Sequence, residues 1–315
     1  MGLEGQATNG RLTGHGSEAD GTLAMKPAAF DYIAADSLEA ATSALCRAGG
    51  EAKILAGGQS LVPMLNFRLV RPSLLVDINR IPGLDYVEAR EASVSVGALT
   101  RHHTLETSPV IKAHLPIIGA AMRHVAHLAI RNRGTIGGSL AHADPAAELP
   151  MMAALLDAQI GIQGSKGRRV EPARSFLVGA LTTSLRGDEI VTDVAFPMLP
   201  AGAGWAFEEM ARRRGDFALA AVGVTVAVRD GKASQLRIGL SGVADAPQRA
   251  AAAESLLAGR AIDAAALEEA AASIRASVAP NRDLHASADY RRHLVGVLAT
   301  RAIATAWQRA LGAAA

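Results

Sequence analysis

The chain has 315 residues, of which 50% are hydrophobic and 20% charged, and its formal net charge is +2. This length predicts about two domains and allows a large core without disulfide or metal staples. Because 32 basic residues are balanced by 30 acidic ones, the composition argues against nucleic acid or an anionic membrane as a partner. The sequence contains no run of about 18 apolar residues and no secretory signal, so we expect a cytoplasmic protein without a membrane span.

Cys46 is the single cysteine of the chain. One thiol cannot form an intrachain disulfide, and it cannot ligate an iron–sulfur cluster, which needs about four thiolates. A structural zinc site made of cysteines is excluded for the same reason. Because Cys46 lies in an alanine-rich helical stretch, we expect a small buried apolar residue.

Residues 1–24 are rich in Gly, Ser, Thr and Asn, and they are predicted to be a disordered tail because they carry little apolar surface. Ser37 is a good N-cap for a helix that ends at Gly49 and Gly50. The patterns then predict a strand at 53–56, a helix at 61–67, a strand at 73–78 and a hairpin of 86–90 and 93–99. Helices interrupted by Pro109 and Pro116 are predicted between 104 and 128. A polar loop at 131–139, a helix at 150–156 and strands at 159–163 and 189–196 follow.

A domain boundary is predicted near residue 200, because residues 197–204 include two prolines and two glycines. The chain changes character beyond this point. Strands are predicted at 205–210, 219–229 and 235–241, followed by alanine-rich helices at 250–257, 263–276 and 287–311.

Two segments with paired glycines have a similar shape: Ala56-Gly57-Gly58-Gln59-Ser60 and Thr135-Ile136-Gly137-Gly138-Ser139. Consecutive glycines let the backbone come close to a ligand, and successive N–H groups form a concave anion site. Each pair alone is more typical of an ordinary turn, but two such loops could hold a pyrophosphate. The G-x-G-x-x-G and G-x-x-x-x-G-K-[ST] patterns are absent, which excludes a Rossmann or P-loop site on motif grounds.

Six segments in consistent order resemble the FAD-binding medium subunits of molybdenum hydroxylases, the family of aerobic carbon monoxide dehydrogenase and xanthine dehydrogenase. These segments are residues 56–64 (AGGQSLVPM), 75–79 (LVDIN), 131–140 (RNRGTIGGSL), 141–148 (AHADPAAE), 213–218 (RRGDFA) and 283–287 (DLHAS). The resemblance extends over about residues 25–312. It is therefore far more specific than either glycine pair.

The resemblance implies an α+β protein with the FAD-binding fold of the vanillyl-alcohol-oxidase (PCMH) type. Two α/β subdomains, at about 25–80 and 81–200, would hold FAD between them, and a C-terminal domain of antiparallel sheet and helices would cover 201–315. In the family, both glycine segments bind the FAD pyrophosphate through backbone N–H groups. By resemblance, Thr135 and Ser139 add hydroxyl donors. An acidic residue that follows contacts the FAD hydroxyls, and here Glu148, by its spacing, and Asp144, nearer the loop, are the two candidates.

The resemblance also implies an electron-transfer subunit. It would pass electrons from [2Fe-2S] clusters on a small partner chain to an external acceptor, while a large partner chain holds molybdopterin. A dimer of such heterotrimers is implied. Two alternatives stay open: a stand-alone FAD-dependent oxidase or reductase of the same fold, and a non-catalytic nucleotide-binding partner protein. The substrate of the complex and its final acceptor are not indicated by this chain.

Several other polar side chains are weaker candidates. Arg131 and Arg133 flank the second glycine segment and could contact FAD phosphates, a partner chain or acidic neighbours. His102 and His103 stand at the start of a predicted helix and are interpreted as surface or capping residues. The remaining pair, His124 and His127, has the spacing of metal ligands without a third ligand nearby. We therefore predict no metal site and no catalytic residue.

Overall fold

A computed structural model describes residues 26–314, and the predicted tail at 1–24 lies outside these residues. The described chain combines helices with four sheets, which confirms the predicted α+β class. No helix within this range has the length and apolar character needed to cross a membrane.

The first part of the chain is a small parallel sheet with two helices. Its elements are β1 (Asp31–Ala34), α1 (Leu38–Arg47), β2 (Ala52–Leu55), α2 (Leu61–Asn66) and β3 (Leu74–Asp77). As predicted, Ser37 caps α1, and its hydroxyl accepts a hydrogen bond from the Ala40 N–H at 3.1 Å. The strands lie in the order β1-β3-β2, and all are parallel. The carboxyl ends of β2 and β3 therefore meet at one edge of the sheet.

The second part is a five-stranded antiparallel sheet with helices packed on it. Its elements are β4 (Val87–Ala89), β5 (Ser93–Gly97), α3 (His102–Thr107), α4 (Pro109–His114), α5 (Pro116–Met122), α6 (Leu128–Arg131), α7 (Ile136–His142), α8 (Glu148–Leu155), β6 (Gln159–Gly164), β7 (Gly167–Pro172), α9 (Ala173–Phe176), β8 (Leu177–Gly179), β9 (Thr182–Thr183) and β10 (Ile190–Pro197). The sheet order is β4-β5-β10-β6-β7, with β8 and β9 paired separately. Pro109 and Pro116 each begin a new helix, as the predicted interruptions require.

The third part is a four-stranded antiparallel sheet between helices. Its elements are β11 (Gly204–Met210), β12 (Ala220–Arg229), β13 (Lys232–Ser241), β14 (Gln248–Arg249), α10 (Ala251–Leu257), α11 (Ala264–Ser277) and α12 (Ala288–Ala314). On one face, Val222 and Val224 share a core with α12. On the other face, α8 lies close because Gly223 and Gly239 have no side chain. A Cβ there would come within 2.8 and 2.9 Å of the Leu155 side chain.

A contact between Arg309 on α12 and Trp205 on β11 contributes to this packing and can be tested by substitution. The Arg309 guanidinium lies 4.3 Å from the centre of the Trp205 ring, and its Nη1 donates to the Trp205 carbonyl at 2.7 Å. We expect Arg309→Met to lower the free energy of unfolding by about 1 kcal/mol, because it removes a cation–π contact and a hydrogen bond. Chemical denaturation of the full chain measures this. The matched variant Arg301→Met, at an exposed position on the same helix, should change stability little, and an equal loss in both would contradict the assignment.

Two local expectations are wrong. Cys46 is exposed rather than buried, because the buried face of α1 is formed by Ala41, Ala44 and Leu45 at helical spacing. Residues 136–139, predicted as part of a loop, are the first turn of α7.

Candidate functional site

Two loops meet at the carboxyl edge of the parallel sheet. The glycine loop, residues 56–60, follows β2, and the Arg133 loop, residues 132–135, precedes α7. A Cβ on Gly57 would collide with the Arg133 carbonyl oxygen and lie 2.8 Å from Gly134 Cα. Only glycine at position 57 therefore lets the two backbones come this close.

The glycine loop presents a row of free backbone donors. The N–H groups of residues 57–60 donate to no acceptor among the described residues. Gly58 has a φ of +72°, a conformation that favours glycine, and the Gln59 side chain donates to the Gly57 carbonyl at 3.0 Å. Successive backbone N–H groups in such a turn form a concavity that attracts anions.

A cavity of about 450 Å³ opens beside this row of donors. Its lining residues are Leu55, Ala56, Gly57, Gly58, Gln59, Val62, Pro63, Asp77, Asn79 and Arg133. The Arg133 side chain is exposed and forms no ion pair within the described part of the chain, whereas Arg131 binds Glu106 at 2.9 Å. The cavity therefore combines unused N–H donors with an unpaired guanidinium, a donor set that suits phosphate oxygens.

The second glycine segment lies next to this cavity, but its amides are already used. The N–H of Gly137 donates to the Ala98 carbonyl at 2.9 Å, and that of Gly138 to the Thr135 hydroxyl at 3.1 Å. A Cβ on Gly137 would lie 2.6 Å from Ala98 Cβ, while one on Gly138 would lie 4.0 Å from Ala56 Cβ. Glycine is therefore required at 137 for close packing. At position 138 a Cβ would crowd the Thr135 hydroxyl at 2.8 Å but would make only an ordinary contact with the glycine loop.

The other residues of this segment differ in burial, and their polar groups also bond within the protein. Thr135 is only 2% exposed, and its oxygen caps α7. Ser139 is half-buried, and its N–H donates to the Thr135 carbonyl at 3.0 Å. Ile136 is fully buried in the core, and its N–H donates to the Thr100 carbonyl at 3.1 Å.

The two candidate acidic residues differ in their surroundings. Asp144 is half-buried in the turn after α7 and accepts a hydrogen bond from the Ala146 N–H at 2.8 Å. Glu148 begins α8 and is only 8% exposed. Burial, and then the negative charge of Glu209, raise the pKa of Glu148 to about 8. Glu148 is therefore a neutral acid at neutral pH and can donate a hydrogen bond.

Glu209 on β11 is a buried acidic residue that the motif analysis missed. One of its carboxylate oxygens lies 3.6 Å from His124 Nδ1, and the other is buried without a hydrogen-bond partner in the described structure. The His124 and Phe207 rings meet edge to face, with ring centres 5.0 Å apart. No sequence signal connects Glu209 with Glu148, because 60 residues and a change of sheet separate them.

The interpretation of His102 as a surface or capping residue is wrong. His102 is 8% exposed, its Nε2 lies 3.1 Å from the Thr135 carbonyl, and its own N–H donates to the Gly134 carbonyl at 3.0 Å. Burial lowers its pKa to about 4, so the neutral ring donates from Nε2. His102 thus supports the Arg133 loop from below. Within residues 26–314, no group of three or more His, Cys, Asp or Glu side chains is arranged to hold a metal ion.

Free N–H groups, glycines that admit close contact and an unpaired arginine fit the pyrophosphate of a dinucleotide. Comparison with known proteins shows which dinucleotide this is. Residues 28–199 match the family described as FAD binding domain in molybdopterin dehydrogenase, and residues 205–306 match the CO dehydrogenase flavoprotein C-terminal domain.

Individual relatives agree over nearly their whole length. The chain is 44% identical to the 6-hydroxypseudooxynicotine dehydrogenase complex subunit alpha of Paenarthrobacter nicotinovorans, over 91% of this chain and 97% of that one. Carbon monoxide dehydrogenase from Hydrogenophaga pseudoflava has a TM-score of 0.88 at 38% identity, covering 90% of this chain and 99% of that one. Quinoline 2-oxidoreductase from Pseudomonas putida 86 has a TM-score of 0.87 at 38% identity, covering 91% and 99%.

The chain therefore belongs to the FAD-binding medium subunits of the molybdenum hydroxylases. It is an oxidoreductase subunit, its cofactor is FAD, and its fold is the FAD-binding fold that the resemblance implies.

Proposed function

We propose that this chain carries electrons through its FAD, from [2Fe-2S] clusters on a small partner chain to an external acceptor. A large partner chain would hold molybdopterin, and two such heterotrimers would form the complete complex. The observation that carries the proposal is the row of free N–H groups beside Arg133 in a chain of this family. FAD, when bound, supplies a centre that can take up and release electrons.

The residues of this chain would bind and orient the FAD. The N–H groups of residues 57–59 and the Arg133 side chain would hold the pyrophosphate, because these residues line the cavity and their donors are unused; the free N–H of Ser60 follows them directly. The second glycine segment would support this site from behind, because it does not line the cavity and a Cβ on Gly138 would lie 4.0 Å from Ala56 Cβ of the glycine loop. Its residues are Thr135, Ile136, Gly137, Gly138 and Ser139. Ala56 and Gln59 support the glycine loop through hydrogen bonds to Asn79 and to Gly57.

We assign the contact with FAD hydroxyls to Glu148 in preference to Asp144. Asp144 is half-buried and its carboxylate accepts a hydrogen bond from the Ala146 N–H, whereas Glu148 is only 8% exposed and its carboxyl interacts with its own backbone N–H. A protonated carboxyl has both an O–H donor and an acceptor oxygen, so a neutral Glu148 could donate to one FAD hydroxyl and accept from another.

The full chain, purified alone and together with co-expressed partner chains, should show a flavin absorption spectrum. Acid release followed by chromatography should give FAD at close to one per chain, and the chain alone should show no iron absorption. Absence of flavin from both preparations, even after FAD is added, would contradict the proposed function. A flavin spectrum without any bound iron–sulfur chain in the co-expressed preparation would instead favour a stand-alone flavoenzyme.

A further inference from the structure

We propose that Arg101 and Asn79 are positioning residues that hold the glycine loop and the Arg133 loop at the spacing required by the FAD pyrophosphate. The proposal rests on the proposed role of these loops in binding FAD. Arg101 is the residue before α3, and Asn79 lies two residues after β3. Neither residue belongs to a glycine segment.

Three consecutive hydrogen bonds connect the two loops through these side chains. Arg101 Nη1 donates to the Arg133 carbonyl at 2.5 Å, and Arg101 Nη2 donates to Asn79 Oδ1 at 2.9 Å. The Asn79 amide then donates to the Ala56 carbonyl at 2.8 Å. We call this connection the loop bridge. It joins a carbonyl of each loop, so the distance between the loops depends on it.

Asn79 is held in place from the parallel sheet. Asp77, the last residue of β3, accepts hydrogen bonds from the Asn79 backbone N–H at 2.8 Å and from its side-chain amide at 2.7 Å. The other Asp77 oxygen accepts from the Tyr32 hydroxyl at 2.7 Å. The loop bridge is thus anchored on two neighbouring strands, β1 and β3.

The chemistry of the bridge explains why an arginine occupies position 101. A guanidinium is a planar fork whose two terminal nitrogens can donate to different acceptors at once, whereas an ammonium is a point charge on a flexible stem. The two terminal nitrogens of Arg101 donate to the Arg133 carbonyl and to Asn79, so Arg101 fixes the spacing of the loops, while Arg133 lines the cavity. Burial lowers the pKa of Arg101; the negative charges of Asp85 and Asp77 oppose this shift, and the positive charge of Arg133 adds to it.

The Arg133 loop has supports that do not involve the Arg101 side chain. The His102 N–H donates to the Gly134 carbonyl at 3.0 Å, and the Ile136 N–H donates to the Thr100 carbonyl at 3.1 Å. Loss of the guanidinium should therefore leave the fold intact. It should release the glycine loop from its fixed distance to the Arg133 loop.

FAD titrations of the full chain test the proposal. Arg101→Ala should raise the FAD dissociation constant by about 10- to 100-fold, the range for a hydrogen bond that involves a charged group. Arg101→Lys should recover only part of this loss. The double variant Asn79→Ala and Arg101→Ala should have an FAD dissociation constant close to that of each single variant. The two losses should not add, because each substitution breaks the same bridge. The control Arg90→Ala, at an exposed residue paired with Glu88, should bind FAD like the wild type.

Hydrogen exchange of the FAD-free chain separates positioning from general destabilisation. In Arg101→Ala, the hydrogen-bonded amides at the two loops should exchange faster, while those of α12 stay unchanged. These amides are Val62 and Met64, which donate to the Gly58 and Ser60 carbonyls, and Arg133 and Gly134, which donate to the Ile130 carbonyl. Faster exchange throughout the chain, or wild-type FAD affinity in Arg101→Ala, would overturn the proposal. If the wild type itself binds no FAD, the proposed function fails. The exchange experiment then tests by itself whether the loop bridge holds the two loops, because unchanged exchange at both loops in Arg101→Ala would refute it.

Discussion

Gly57→Val should abolish FAD binding, weakening it by at least about 100-fold. The reason is steric, because even a Cβ at this position would collide with the Arg133 carbonyl and lie 2.8 Å from Gly134 Cα. Both neighbours are backbone atoms, which cannot turn aside as a flexible side chain would. A branched residue must therefore separate the two loops, and a displacement of about 1 Å at a preorganised site is costly.

FAD content after purification and the dissociation constant from fluorescence titration measure this effect. Gly57→Ala should show a smaller loss of the same kind. Gly179→Val is the matched control, because a Cβ at Gly179 would have open space within 4 Å. Retention of full FAD affinity in Gly57→Val, with the fold intact by circular dichroism, would refute the assignment of the glycine loop to the pyrophosphate.

The same variant tests electron transfer in the assembled complex. If the FAD of this chain is the exit for electrons, a complex with Gly57→Val should still reduce its iron–sulfur clusters when substrate is added. Reduction of the external acceptor should stop. Unchanged reduction of the acceptor by a complex that lacks FAD would show that electrons leave by another route.

Much of the fold follows from local signals in the sequence. Ser37 caps α1 where expected, and Pro109 and Pro116 divide the predicted helical region into separate helices. The start of α7 was not predictable in this way, because Gly137 and Gly138 have low helix propensity. There the Thr135 cap and the fit of Gly137 against Ala98 outweigh propensity. The division of the chain near residue 200 and into subdomains remains a prediction.

The candidate site was predictable only where it is continuous in sequence. The glycine loop contains its donors within five residues, so a motif can indicate it. The loop bridge joins Asn79, Arg101 and Arg133, and no local pattern connects residues this far apart. For the same reason the burial of His102 could not be predicted from the sequence. Its position under the Arg133 loop depends on the pairing of Arg101 with Thr135.

The buried carboxyl group of Glu148 should make the stability of the FAD-free chain depend on pH. Its pKa in the folded chain is about 8, raised by burial, by Glu209 and by Asp144, from an ordinary value of 4.5. Between these two values the unfolded chain loses the proton and the folded chain retains it. Stability is therefore fully present below about pH 4.5 and is lost as the pH rises toward 8, by up to ~1.4 kcal/mol per pH unit.

Glu148→Gln should remove this dependence, because the amide stays neutral at every pH. The variant should match the wild type in stability near pH 5 and exceed it by several kcal/mol near pH 9, as measured by denaturant unfolding of the FAD-free chain. Glu209→Gln should weaken the dependence without abolishing it, because burial is the larger cause of the shift. The control Glu88→Gln, at an exposed side chain, should follow the wild type. Parallel stability curves for Glu148→Gln and the wild type from pH 5 to 9 would show that Glu148 is ionised in the folded chain, and its assignment as a neutral hydrogen-bond donor to FAD would then be wrong.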